Sequence, residues 1–337
     1  MTLHAARSFA LLAAAVLLLT GCSDAAPEAD APATPAAALV KPQSFISGAQ
    51  LVELKKAHSD LVLIDARSPA NFAKGHIAGA LNMPPDLWRT KKAKIGQGPS
   101  RVLYRQGELT DPDYANAPVD TAYYAKLLGT HGIARTTPVV VYGNHAGKAD
   151  GSVPAMILDM LGHETVYFLD GIGVTEWQAA GQPIETGAGF VTVSPVTYEP
   201  QYAERAVWTL NDVMENLDRD DVVFYDTRTE AEFLGTDHRS NARKGRLPNA
   251  VRIDYTALMA NYNAKDFSAK NAEALRKLHV EAGITPDKHI VLYCQTATRV
   301  SLPYLVLKDL GYPNVHIYDA SWFEYGNRDD TVIETGS

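Results

Sequence analysis

The stretch LVLIDAR, residues 61–67, recurs as VVFYDTR at residues 222–228. In each copy a run of apolar residues ends in Asp-x-Arg. A phenylalanine follows each copy at the same distance, as Phe72 and Phe233. This pair of stretches indicates that the chain contains an internal repeat.

Three further blocks repeat in the same order. KGHIAGA at 74–80 matches KGRLPNA at 244–250, and VVVYG at 139–143 matches IVLYC at 290–294. LGHETVYFLD at 161–170 matches LGYPNVHIYD at 310–319. Chance similarity between Val-rich strands would not preserve both order and spacing over four blocks.

Short apolar runs alternate with amphipathic stretches in each copy, which predicts an α/β fold with parallel sheets covered by helices on both faces. The predicted helices cover 48–57, 122–129, 210–217 and 271–281. We place the first domain at 44–186, a Gly/Pro/Thr-rich linker at 187–206, and the second domain at 207–337. The first copy has an insertion at 85–120, which we interpret as a surface excursion, a lid or domain-contact loop being the alternatives.

Cys294 is the candidate nucleophile. It follows the apolar run 289–293 and opens the polar loop 294–299, ahead of a helix-like stretch. In a parallel sheet, binding sites lie beyond the carboxyl ends of the strands, and a helix N-terminus stabilises a thiolate. A buried packing role is the alternative. The first copy has Gly143 at the matching position and therefore no nucleophile.

The N-terminus indicates export and lipid anchoring. Residues 1–21 have the pattern of a signal peptide, with Arg7 before an apolar stretch too short to span a bilayer. The end of this segment, LTGC at 19–22, resembles a bacterial lipobox, which predicts lipidation of Cys22. Residues 22–43 read as a disordered tether. We therefore expect a protein anchored to a bacterial membrane and facing the periplasm, with Ser23 favouring the outer membrane.

The net charge of −8 argues against a nucleic-acid partner. The histidines show no metal-ligand spacing, and no nucleotide-binding loop is present, so we expect neither a metal nor another cofactor.

Taken together, these motifs resemble the tandem two-domain form of the rhodanese (sulfurtransferase) family. The resemblance is carried by the two Asp-x-Arg strand ends, by GHIAGA at 75–80, by the six-residue loop 294–299, and by GNRDD at 326–330. It covers nearly everything beyond residue 44. It implies two tandem rhodanese-like domains, of which the first is silent and the second catalytic. Ala297 stands at a position that is often glycine in this family, and Arg246 stands where histidine is usual.

The resemblance implies that Cys294 carries sulfur as a persulfide between a small anionic donor and a thiophilic acceptor. The acceptor is expected to be cyanide or a thiol, and a thioredoxin-like protein is one possibility. Asp226 and Arg228 are expected to support the site structurally. Residues expected to bind the donor are Gln295, Thr296, Ala297, Thr298, Arg299, Arg243 and Arg246.

Several functions remain open from the sequence. Thiosulfate is the favoured donor because Arg299 offers a planar cation to sulfonate oxygens; 3-mercaptopyruvate is the alternative. Cysteine phosphatases and arsenate reductases use a similar Cys-loop-Arg cradle, but their loops have one more residue than the four between Cys294 and Arg299. A non-catalytic anion- or sulfur-binding module is the remaining possibility.

Overall fold

The computed structural model describes residues 44–95, 98–144, 149–189 and 193–336. The predicted signal peptide, the tether and Cys22 lie outside these residues. Within the described ranges, no helix is long and apolar enough to cross a membrane. These residues belong to one compact unit, Ala38–Ser337.

The first copy is built around a five-stranded parallel sheet with the order β1-β8-β7-β2-β4. The strands of this sheet are β1 Phe45–Ile46, β2 Val62–Asp65, β4 Ala80–Asn82, β7 Val139–Tyr142 and β8 Val166–Leu169. Two antiparallel pairs lie outside it: β3 His76–Ile77 with β9 Ile184–Glu185, and β5 Arg89–Ile95 with β6 Gly98–Leu103. Its helices are α1 Gly48–Ala57, α2 Pro69–Lys74, α3 Pro85–Trp88, α4 Thr121–Thr130, α5 Val153–Met160 and α6 Val174–Ala179. Two 3-10 turns add Tyr114–Asn116 and Ala149–Ser152.

The second copy repeats this sheet with the order β10-β16-β15-β11-β12, again all parallel. Its strands are β10 Val207–Trp208, β11 Val222–Asp226, β12 Val251–Arg252, β13 Met259–Asn261, β14 Asp266–Ala269, β15 His289–Tyr293 and β16 Val315–Tyr318. Its helices are α7 Leu210–Glu215, α8 Glu230–Leu234, α9 Ala272–Glu281, α10 Ser301–Asp309 and α11 Ser321–Tyr325, with a 3-10 turn at Tyr255–Leu258. The predicted fold class is confirmed; the exact domain boundaries stay predictions.

Local sequence explains where the helices begin. Ser47 and Thr209 each cap a helix through a reciprocal capping box, and Asn271 caps α9 through its side chain. The central strands β7 and β15 are buried almost throughout, as expected for a parallel sheet covered on both faces.

The two Asp-x-Arg motifs form the same structure. Arg67 donates hydrogen bonds to both carboxylate oxygens of Asp65 and to the carbonyl of Gly75. Arg228 does the same with Asp226 and the carbonyl of Gly245. Each arginine therefore ties the end of a strand to the loop that precedes the next strand.

The two copies share one hydrophobic core, which runs through α5 and α10. At the edge of this core the hydroxyls of Ser152 and Ser301 are 2.7 Å apart, and Tyr304 donates a 2.7 Å hydrogen bond to Asp159. The carboxyl-terminal ends of the two sheets are thereby brought to a common interface.

The insertion at 85–120 is not a surface excursion, so that interpretation is wrong. It forms α3 and the antiparallel hairpin β5-β6, and its apolar side chains Ala93, Ile95, Val102 and Tyr114 are buried in a cluster with the second copy. The sequence pattern looked polar because the insertion also carries cations, and two of these, Arg89 and Arg105, are themselves buried. The insertion is a contact between the copies.

A hairpin of each copy contacts the aspartate that follows a sheet strand of the other copy. From the first copy, the N–H of Leu103 on β6 donates to Asp319, which follows β16. From the second copy, the N–H of Ala269 on β14 donates to Asp170, which follows β8. Asp170 and Asp319 are the matching residues of the sequence repeat, so this exchange is nearly symmetric.

Candidate active site

Cys294 lies directly after β15, at the carboxyl end of the second sheet. It is a free cysteine and is 1% exposed. The loop that it opens runs for six residues and leads into α10 at Ser301. The strand, loop and helix thus have the arrangement that the sequence predicts.

Ser321 fixes the shape of this loop. Its hydroxyl accepts hydrogen bonds from the N–H groups of Cys294, at 3.2 Å, and Ala297, at 3.0 Å. The same hydroxyl donates to the carbonyl of Tyr318 at 2.8 Å, so its hydrogen-bonding capacity is fully used. Ser321 and Ala297 both have positive φ angles, of 57° and 46°. A tight loop with two residues in this unfavourable region is held in place by its surroundings.

Backbone carbonyls also anchor the first half of the loop. The carbonyl of Cys294 accepts from the N–H of Trp322, and that of Gln295 accepts from the N–H of Phe323, each at 3.0 Å. The first half of the loop is therefore packed onto the start of α11.

Five backbone N–H groups of the loop have no acceptor within the described residues: those of Gln295, Thr296, Thr298, Arg299 and Val300. Backbone amides normally find a partner, so a set of unpaired amides in the loop that Cys294 opens is a candidate site for an anion. The N-terminus of α10 adds its positive dipole end in the same place.

Arg299 is held by Glu232 at the start of α8. Both terminal nitrogens of its side chain donate to the two carboxylate oxygens, at 2.7 and 2.8 Å. Although burial opposes charge on Arg299, the hydrogen bonds that it donates to Glu232 and the charges of Cys294 and Glu232 raise the pKa of this guanidinium. Burial likewise opposes charge on Glu232, but Arg299 prevails and lowers the pKa of Glu232 to about 2. The guanidinium is thus a permanent cation near Cys294, largely neutralised by its carboxylate partner.

A cluster of three amides orients Gln295. The side chains of Gln295 and Asn241 exchange two hydrogen bonds, of 2.8 and 3.2 Å. Asn327 donates a further hydrogen bond to Asn241 at 3.0 Å. Gln295 is therefore held at one side of the loop, with its side-chain carbonyl and amide both engaged.

Asp226 and Arg228 form a buried ion pair next to Tyr293, the residue before Cys294, and their expected role in supporting the site stays a prediction. The Arg228 guanidinium is stacked over Trp322 at 4.6 Å and over Tyr293 at 5.5 Å. Burial opposes its charge, but Asp226 raises the pKa of Arg228 above its usual value. The pair is 1% and 0% exposed and links β11 to α11, which carries Ser321.

Arg243 and Arg246 contact the C-terminal segment. Arg243 donates to the carbonyl and hydroxyl of Thr331 and to the carbonyl of Tyr325. Arg246 lies over the ring of Phe233, pairs with Glu334 at 3.3 Å and donates to the carbonyl of Gly336. These contacts give both arginines a role in holding the C-terminal segment; donor binding by either one stays a prediction.

Three residues of the site escaped the sequence analysis: Ser321, Glu232 and Asn241. Glu232 had a visible signal, because Thr229-x-x-Glu232 is a capping box, although that motif does not reveal the link to Arg299. Ser321 and Asn241 had none, because each is brought to the loop by a distant part of the chain. No group of metal-ligating side chains occurs anywhere in the part of the chain that the structure describes.

The matching position in the first copy cannot hold a nucleophile. A Cβ added at Gly143 would be 2.5 Å from the Cα of Gly151, closer than real contacts allow. The backbones of Gly143 and Gly151 therefore approach each other too closely to leave room for a side chain at Gly143.

Comparisons with known proteins agree with this geometry. A family model described as "Rhodanese-like domain" matches the chain twice, at residues 48–180 and 209–328. The chain belongs to the rhodanese family. The match to two rhodanese-like domains, one with a cysteine at the site and one with a glycine, confirms the expected tandem arrangement.

Several similar proteins bear a related name. A thiosulfate sulfurtransferase of Azotobacter vinelandii is 32% identical over 275 residues, which cover 82% of this chain and 91% of that protein. One from Pseudomonas aeruginosa has the same identity and coverage. These rhodanese relatives support sulfurtransferase activity, the function class expected from the sequence.

Solved structures show the same fold. An anaerobic ergothioneine biosynthesis enzyme from Chlorobium limicola, in complex with trimethyl histidine, has a TM-score of 0.73 at 21% identity. The match covers 91% of this chain and 73% of that protein. At this identity, the likeness concerns the rhodanese fold alone.

Proposed function

We propose that the protein is a thiosulfate sulfurtransferase that works through a persulfide on Cys294. The observation that carries the proposal is the set of five unpaired loop amides around a buried thiol. Such a cradle stabilises the thiolate, the incoming anion and the persulfide that forms, because each places negative charge at the same position.

The reaction balances without a general base. The Cys294 thiolate attacks the outer sulfur of thiosulfate, the S–S bond of the donor breaks, and sulfite leaves with the bonding electron pair. Cyanide then attacks the terminal sulfur of the persulfide, which forms thiocyanate and restores the thiolate. In both steps the protein supplies position and electrostatic stabilisation.

Burial of the site favours a small acceptor. Because Cys294 is 1% exposed, a bulky thiol protein reaches its persulfide only if the surroundings of the loop open. Cyanide or another small thiophile needs a smaller opening. A thioredoxin-like acceptor is retained as a possible partner, and sulfite release from thiosulfate with reduced thioredoxin in place of cyanide tests it.

A second donor, 3-mercaptopyruvate, is favoured by one observation. Arg299 was expected to offer its cation to the sulfonate of thiosulfate, but both of its terminal nitrogens are engaged by Glu232. This pairing makes the loop electrically closer to neutral, which suits a donor of lower charge. A carboxylate donor and a sulfonate donor would use the same amides.

Steady-state rates of thiocyanate formation test the proposal. Thiosulfate and 3-mercaptopyruvate are compared as donors to cyanide, for the wild type and for Cys294→Ser. The proposal expects turnover with thiosulfate, a higher kcat/KM for thiosulfate than for 3-mercaptopyruvate, and loss of turnover with either donor in C294S. A higher kcat/KM for 3-mercaptopyruvate would reassign the donor, and turnover that survives in C294S would contradict the mechanism.

We also propose that the protein is exported and lipid-anchored through Cys22, facing the periplasm. The support is the lipobox-like sequence 19–22 and the tether that follows it. Fractionation of cells that express the full chain, compared with Cys22→Ala, tests this. Membrane association of the wild type that is lost in C22A is expected; equal distribution of the two would contradict it.

A further inference from the structure

Arg89 lies on the silent domain but contacts the active-site loop of the catalytic domain. One of its terminal nitrogens donates to the carbonyl of Thr296 at 2.7 Å, and the other donates to the hydroxyl of Thr298 at 3.2 Å. The side chain is 2% exposed, so these contacts are shielded from water. It reaches Thr296 and Thr298, the centre of the loop whose amides form the cradle.

Two further acceptors outside the loop hold the Arg89 side chain in place. It donates to a carboxylate oxygen of Asp319 at 3.0 Å and to the carbonyl of Arg101 at 2.6 Å. Asp319 is fully buried and follows β16, and it also accepts from Arg105 at 3.2 Å. A guanidinium with so many fixed acceptors has little freedom to move, and it transmits this rigidity to the loop.

A comparison of the two copies separates the contribution of Arg89 to docking of the domains from its contacts with the loop. In the first domain, Arg89 pairs with Leu103 across the hairpin, and Leu103 donates to Asp319. In the second domain, Met259 pairs with Ala269, and Ala269 donates to Asp170. The two hairpins therefore dock in the same way, yet the residue of the second hairpin at the position of Arg89 is Met259.

We infer that Arg89 is a positioning residue for sulfur transfer: the silent domain uses it to hold the loop at Thr296 and Thr298 in the shape that presents the amides to an anion. This inference rests on the proposed function. The docking of the hairpins needs no cation at this position, as Met259 shows, whereas orientation of the loop carbonyl and hydroxyl does.

Arg89→Met tests the inference, because it installs the residue that the sister hairpin carries. Arg105→Met is the matched control: Arg105 binds the same carboxylate but donates otherwise to the carbonyl of Ala117, away from the loop. Two quantities are measured for each variant. One is the rate at which thiosulfate loads sulfur onto Cys294, and the other is the concentration of sulfate that protects Cys294 from alkylation by iodoacetamide.

In R89M we expect loading to slow about tenfold and the protecting sulfate concentration to rise about tenfold, the effect of losing hydrogen bonds from a charged group. In R105M both quantities should stay within about twofold of the wild type, even where the melting temperature falls as far as in R89M. Equal values in R89M and R105M, in either assay, would overturn the inference and leave Arg89 a docking residue.

Two further variants keep the test valid if R89M does not fold. Arg89→Lys keeps the charge but cannot reach both loop atoms at once, and Thr298→Val removes one acceptor without touching Arg89. Each should raise the protecting sulfate concentration; wild-type values in both would overturn the inference. Sulfate protection requires no sulfur transfer, so a wild type that is protected but never loads sulfur would contradict the proposed function instead.

Discussion

Arg299 donates two hydrogen bonds, of 2.7 and 2.8 Å, to the carboxylate of Glu232. This carboxylate is 1% exposed and lies in α8. This pair links the first turn of α8 to the last residue of the cysteine loop. It sets both the charge near Cys294 and the rigidity of the loop.

The pair should make stability depend on pH in acid. The pKa of Glu232 is about 2 in the folded protein, below its value of about 4.3 in an unfolded chain. A carboxyl with a lowered pKa stabilises the fold above its unfolded pKa, and this contribution disappears as pH falls from about 4.3 to about 2. It amounts to at most about 3 kcal/mol.

Urea unfolding of wild type and Glu232→Gln at pH 6 and pH 3 measures this effect. Glutamine keeps the capping box with Thr229, so the helix start is preserved. The wild type should lose more unfolding free energy than E232Q between the two pH values. Equal losses would show that the pair contributes nothing to the acid response.

The Ser321 hydroxyl should be needed for loop geometry. Ser321→Ala leaves the N–H groups of Cys294 and Ala297 without an acceptor, which costs about 1–3 kcal/mol for each buried group left unsatisfied. We expect the rate of persulfide loading to fall by at least about tenfold, because the loop relaxes. Ser100→Ala is the control, since the buried Ser100 hydroxyl has no hydrogen-bond partner within the described residues. Loading rates that match in the two variants would contradict this role.

Ala297 should tolerate glycine but not a branched side chain. Its φ of 46° is strained for a residue with a Cβ, while its methyl group is fully buried. In Ala297→Gly, relief of strain offsets the lost methyl contacts, so stability should stay within about 1 kcal/mol and loading near the wild-type rate. Ala297→Val should lose at least about 2 kcal/mol and most loading activity, because valine is stiff at positive φ and the site is full. Thermal melts and loading rates of the two variants check this; an active, stable A297V would contradict it.

A cysteine at Gly143 should not create a second active site. The new Cβ would meet the backbone of Gly151 at 2.5 Å, so the silent loop must distort to accept it. Gly143→Cys in a C294S background should bind no sulfur from thiosulfate and should unfold at a lower temperature than C294S alone. Sulfur bound to the thiol introduced by G143C would show that the silent loop already has a competent shape.

The sequence was sufficient for the sheets, the repeat and the position of Cys294. Parallel strands gather their carboxyl ends at one edge, so motifs after strands meet there irrespective of their distance in the chain. The helix at 48–57 was placed correctly to the residue, and that at 210–217 ends two residues early, at Glu215. Helix ends depend on capping contacts, which leave a weaker signal than apolar periodicity.

The residues that hold the cysteine loop from distant parts of the chain could not be predicted. Asn241 lies in an irregular segment before β12, and Ser321 lies after β16, so nothing in their spacing relates them to the loop at 294. The contact of Arg89 with the loop could not be predicted, because the insertion has no clear counterpart in the sequence of the second copy. The equivalence of Arg89 and Met259 emerges from strand register, which is a property of the folded hairpins.

Intact-mass spectrometry of residues 44–337 after incubation with thiosulfate shows directly whether Cys294 carries sulfur. We expect a mass gain of one sulfur atom, about 32 Da, that cyanide removes and that Cys294→Ala abolishes. No gain from thiosulfate, or a gain that persists in C294A, would contradict a persulfide on Cys294.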